Sequence, residues 1–116
     1  MRAFQVLLVA MFCVLAAYTG VVIAGHGWSL ISVFFGDMRR MTWPGQFNLD
    51  FMFMLTLSAT WVAWRHRFSL RGLGLALLAF FGGASFLSVY LLVVSLQAKG
   101  DVREILLGRA RTEGAA

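Results

Sequence analysis

Charge is scarce in this chain and cysteine is nearly absent. Only 13% of the 116 residues are Asp, Glu, Lys or Arg, about half the share that soluble domains carry. A soluble domain of this length has too much surface for its volume to hide the 60% of residues that are hydrophobic. The single cysteine, Cys13, excludes an internal disulfide, and in an apolar run it acts as a small hydrophobe. There is no phosphate-binding glycine loop, no Gly-x-Ser-x-Gly, and no Ser, His and Asp that converge on one side. The two histidines, His26 and His66, fall at opposite ends of the apolar runs, with Cys13 between them. No group with metal-ligand spacing remains, so neither a metal nor a cofactor is expected, and no reaction is indicated.

What the chain has is long apolar runs, and its mean hydropathy is +0.81. The first, Phe4 to Ala24, holds enough uncharged residues to cross a hydrocarbon core about 30 Å thick. Met1-Arg2 and Val22-Ile23-Ala24 also fit the start and the cleavage site of a signal peptide. The run exceeds the usual apolar stretch of about 7–15 residues, so an uncleaved helix is expected. The second run follows Trp43-Pro44-Gly45, a turn signal, with Gln46 or Asn48 available as a helix cap. Trp43 and Trp64, about 31 Å apart along a helix, match the spacing of two interfacial aromatic belts. The third run is Gly72 to Gln97. Between the first two, Trp28 to Phe35 is too short to span and is followed by Asp37, Arg39 and Arg40, a pattern that suits a helix lying in the membrane interface. The expected fold is therefore all-α: an integral membrane bundle of three transmembrane helices, about 4–24, 47–65 and 72–97, in up-down-up order. A short interfacial helix sits in the first loop. Residues 1–98 form the membrane domain and 99–116 a polar tail, in which Asp101 caps a short helix ended by Gly108.

The net charge of +5 belongs to residues at the ends of the apolar runs, which points to lipid headgroups as partner and not to nucleic acid. With three crossings, Arg2, Arg65, Arg67 and Arg71 share one side, and Arg39, Arg40, Lys99, Arg103, Arg109 and Arg111 the other. The count favours the second side as cytoplasmic, while the first helix and the tight three-Arg loop favour the first; the expectation is an N-terminus inside and a C-terminus outside.

Asp50 is the leading candidate for chemistry, because an ionisable group inside an apolar segment is a functional hypothesis by default. The competing reading is a carboxylate that stabilises the first turns of its helix. With three straight spans, Asp50 would lie near Tyr90 and near Arg39 and Arg40, and Asn48 would join the same binding candidates. Small residues form two stripes, Ala16-Gly20-Ala24 and Ala79-Gly83. Such stripes let helices approach closely in lipid, either within the chain or across a homodimer.

Three stretches resemble an uncharacterised family of short bacterial membrane proteins, a domain of unknown function. They are Leu49-Asp50-Phe51 through Trp61-Val62-Ala63-Trp64-Arg65-His66-Arg67, then Gly83 through Val89-Tyr90-Leu91-Leu92, then Glu104-Ile105-Leu106-Leu107-Gly108-Arg109. Ala84 stands where that family's pattern has Asn, so no role of an amide carries over. The resemblance implies a three-helix protein of the bacterial inner membrane and supplies no activity. The expected role is non-enzymatic: a free-standing membrane protein, a homo-oligomer, or an accessory subunit of a larger complex. The alternative is a small oligomeric transporter that uses Asp50 as its proton- or substrate-binding carboxylate.

Overall fold

A computed structural model describes residues 1–114. Its regular elements are all helices: α1 (Arg2–His26), α2 (Leu30–Arg39), α3 (Trp43–Arg65), α4 (Leu70–Gln97), α5 (Val102–Leu107) and α6 (Arg109–Gly114). Helix α3 begins before residue 47 because Pro44 sits in its first turn, after an extended Thr42. There the fixed φ of proline suits the helix and its missing N–H has no partner to lose. Gln46 and Asn48, expected as caps, therefore lie inside the helix. The Asn48 amide donates to the Phe34 carbonyl at 3.0 Å and pins α2 against α3. A Cβ on Gly45 would sit 2.4 Å from the Asp37 carbonyl oxygen, so the two helices approach this closely only because the residue is glycine.

The third apolar run departs from the expected straight span. Helix α4 starts with Ser69 accepting from the Gly72 N–H, but Gly83, at φ 56° and ψ −140°, breaks it. In a straight helix Gly72 and Tyr90 would be about 27 Å apart. Both instead touch His66: a Cβ on Gly72 would lie 2.5 Å from His66 Cβ, and Tyr90 Oη is 2.6 Å from His66 Nε2. Residues 70–82 thus run antiparallel to α3, and residues 84–97 return alongside it. The apex packs on α3, where a Cβ on Gly83 would meet Phe51 at 3.1 Å and Leu55 at 3.4 Å. By length and composition α1 and α4 are apolar enough to cross a membrane. Each half of α4, however, is only about 20 Å long, short of the roughly 30 Å of a hydrocarbon core. The up-down-up order expected for the third run gives way to a helical hairpin.

Helix α1 lies antiparallel to the returning half of α4. Gln5 donates from Nε2 to Ser95 Oγ at 3.1 Å, and Met1 lies beside Gly100. Leu8 is the one residue of α1 that is buried. Beyond Leu15 the helix is largely bare, with Val21 73% exposed. The core gathers at one end, where Val62, Ala79, Tyr90, Val94, Ala98 and Ile105 form a single cluster. The molecule extends 51 Å along its long axis with a radius of gyration of 16.3 Å, against about 13.4 Å for a compact domain of this length.

Candidate functional site

The three stretches that carry the family resemblance meet at the end of α3. Arg65, in its last turn, reaches across to α5. Its Nε donates to the Ile105 carbonyl at 2.7 Å and its Nη2 to the Glu104 carbonyl at 3.2 Å. Trp61 Nε1 donates to the Leu106 carbonyl at 3.1 Å. These are C-terminal carbonyls of α5, at the negative end of the helix dipole, where a cation is the right cap; that of Glu104 also accepts from the Gly108 N–H. The start of α5 is closed by Asp101, whose Oδ1 accepts from the Arg103 N–H. Its end is turned by Gly108 at φ 89°, where a Cβ would fall 2.7 Å from the Arg65 carbonyl oxygen. Arg111 completes the attachment: it donates to the Trp64 carbonyl and lies over the Trp64 ring at 4.0 Å. Ile105 is buried in the core, so α5 rests on the protein.

Arg65 also donates from Nη1 to Tyr90 Oη at 3.1 Å, and that oxygen is 2.6 Å from His66 Nε2. With His66 neutral, the phenol accepts from Arg65 and donates to the imidazole, and each group is satisfied. Burial, then the positive charges of Arg65 and Arg71, hold His66 below its ordinary pKa and favour this arrangement. A protonated His66 would put two cations on one phenol oxygen. Trp61 meets the Tyr90 ring edge-on, and Phe86 stacks against it. The trio joins α3 to the α4 hairpin, and through Arg65 to α5, so it acts as a lock between the three.

Beside the lock opens a cavity of about 580 Å³, walled by Arg65, Arg67, Arg71, Gln97, Glu104 and Arg109. Among the described residues Glu104 is its one carboxylate, 4.0 Å from Arg109.

The binding candidates read from the sequence are not brought together. Asp50 is exposed and, among the described residues, has neither a hydrogen-bond nor an ion-pair partner. It lies well inside α3, too far along to cap it. Tyr90 joins Arg65 and His66, about 22 Å farther along α3, because the hairpin carries it back. Arg39 and Arg40 are exposed at the end of α2, with Arg40 3.7 Å from Asp37. Asn48 holds α2. Of the small residues, Ala79 is fully buried and Gly83 packs on α3. Ala16 is exposed and Gly20 has nothing within 4 Å, so that stripe packs against nothing in this chain. Sequence reasoning missed the Arg65–Tyr90–His66 lock; the available signal was the Gly82-Gly83 pair in mid-run, a helix breaker as much as a packing surface. Among the described residues no group of His, Cys, Asp and Glu is placed to hold a metal. Comparison with models of protein families, with curated proteins and with solved structures finds no match.

Proposed function

We propose that this chain is a non-enzymatic integral protein of a bacterial inner membrane and serves as an accessory subunit of a larger membrane assembly. The observation that carries the reading is the bareness of α1. It is a helix of 25 residues with only Leu8 buried, and it needs lipid or partner helices over the rest. The total surface supports it: 8367 Å² is exposed, against about 6,300 Å² for a compact soluble protein of this mass. In this reading α1 and α3 cross the bilayer, α2 lies at the far interface, and α4 enters and returns as a hairpin. Non-helical backbone at its apex is tolerable at membrane depth because it is packed against protein.

The hairpin also supports an orientation for this reading. Of the ten Lys and Arg residues, only Arg39 and Arg40 lie at the α2 end; all the others lie with Met1, the 66–69 turn and the tail. The positive-inside rule then places that end in the cytoplasm. A transporter centred on Asp50 gains no support, since no polar group converges on it.

Membrane fractionation with cysteine labelling tests the proposal. In a Cys13→Ser background, Ser29→Cys should label from the periplasm and Ser69→Cys only after the inner membrane is opened. Native Cys13 should resist aqueous maleimide in the bilayer, and the chain should purify from mild detergent with a second polypeptide. Recovery in the soluble fraction would overturn the membrane reading, and a lone monomer in every mild detergent would overturn the subunit reading.

A further inference from the structure

We propose that the cationic cavity beside the Arg65–Tyr90–His66 lock is a binding site for a phosphate group, either on an anionic phospholipid or on a small soluble phosphate. Among the described residues four guanidinium groups line it, from Arg65, Arg67, Arg71 and Arg109, against the one carboxylate of Glu104. Three of them belong to the seven residues 65–71 that join α3 to α4, and the fold brings Arg109, at the start of α6, and the end of the α4 hairpin against that basic stretch to close a cavity. Arg65 is spent on the α5 carbonyls, but Arg67 and Arg71 have no hydrogen-bond or ion-pair partner among the described residues. Both are exposed, and both line the cavity with their donors unused. Unused guanidinium forks match the paired oxygens of a phosphate bidentately, and a phosphate can offer oxygens to more than one of them at once.

Position adds to the chemistry. The cavity lies at the polar rim, where the apolar faces of α3 and α4 end at Arg65 and Arg71. That is headgroup depth in the membrane reading, on which the lipid source rests, and basic pockets between helices on the cytoplasmic side are suited to anionic headgroups. The volume of about 580 Å³ is of the size that holds small ligands, so a phosphate fits together with the group it is esterified to.

The test is native mass spectrometry of the full chain in a nonionic detergent. It is titrated with short-chain phosphatidylglycerol, with the matching phosphatidylcholine, and with inorganic phosphate. One phosphatidylglycerol should be retained per chain, in preference to phosphatidylcholine. Arg67→Gln with Arg71→Gln should weaken retention by about tenfold or more. Arg39→Gln with Arg40→Gln removes the same charge from the other end and should leave it unchanged. If excess inorganic phosphate competes, a free phosphate suffices; if it does not, the lipid is the source. Equal retention by the Arg67/Arg71 variant, an equal loss in the Arg39/Arg40 variant, or equal binding of phosphatidylcholine each overturns the proposal. Should the chain prove soluble, the membrane reading fails, while the inorganic phosphate arm still decides the site.

Discussion

At one end of the molecule the last turn of α3, both ends of the α4 hairpin and α5 share a core, with Val62 fully buried and Val94 4% exposed. At the other end α2 is held to the first turns of α3 by the Asn48 amide and the close approach at Gly45, and the distal half of α1 stands bare. The first end ties Trp61, Arg65, His66 and Tyr90 into hydrogen bonds with one another and with α5. The second leaves Asp50, Arg39 and a wide apolar surface exposed. A chain built this way keeps its internal architecture at the basic end and offers the other to its surroundings. Stability should accordingly be sensitive to substitution in the shared core and in the hairpin that builds it, and indifferent at the exposed residues of α1, α2 and early α3.

The largest effect is expected at Gly83, on which the hairpin depends. Its backbone conformation is one that side chains rarely adopt, which by itself costs about 1–3 kcal/mol, and Phe51 must also move aside. Gly83→Leu should lower the melting temperature in detergent or straighten α4. Spin labels on Leu73→Cys and Leu96→Cys, with Cys13→Ser, distinguish the two: a straight helix sets them about 35 Å apart, while the hairpin keeps them much closer. A variant of unchanged stability and spacing would mean that the hairpin does not rest on this residue.

Next comes Arg65. Arg65→Leu strips the caps from Glu104 and Ile105 and should cost about 1.5–3 kcal/mol, the range for hydrogen bonds from a charged group. Lysine should not restore it, because a point charge cannot serve three acceptors in a fixed fork. Limited trypsin digestion should cut the Arg103–Arg111 segment faster in the variant; an unchanged rate would show that the tail is held by other contacts.

A smaller effect concerns pH. His66 lies below its ordinary pKa in the folded protein, so the unfolded chain binds the proton more readily. Stability is full above the unfolded value of about 6.5 and is lost as pH falls through the lower folded one. Melting temperature should therefore drop between about pH 7 and pH 5, and the slope should shrink in His66→Gln. An identical slope in that variant would assign the dependence to other groups. The smallest effect is expected at Asp50: Asp50→Asn should change the stability of the isolated chain by less than about 0.5 kcal/mol, and a larger change would reveal a partner for its carboxylate that the fold does not show.

Much of the helix content was legible in the residues. The apolar runs, the tryptophan at each end of α3, and the Asp101 and Gly108 that bracket α5 all follow local rules of hydropathy and capping. The α4 hairpin was not legible, since hydropathy counts side chains and is blind to a backbone reversal at one glycine. That one error propagated. It put Tyr90 beside Asp50 when it belongs with Arg65 and His66, and it split the arginines between two sides, which set the C-terminus on the side opposite Met1. The lock itself joins residues as much as 40 positions apart, as in Arg65 and Ile105, and no local pattern announces such a pairing.

The turn at Gly83 also fixes a parity. On the proposed topology an even number of crossings leaves Met1 and Lys99 in the same compartment, so reporter enzymes fused near either should give the same answer. A chain that read residues 70–97 as one continuous crossing would deliver Glu104 and Ile105 to the opposite face of the membrane, where Arg65 could never reach them.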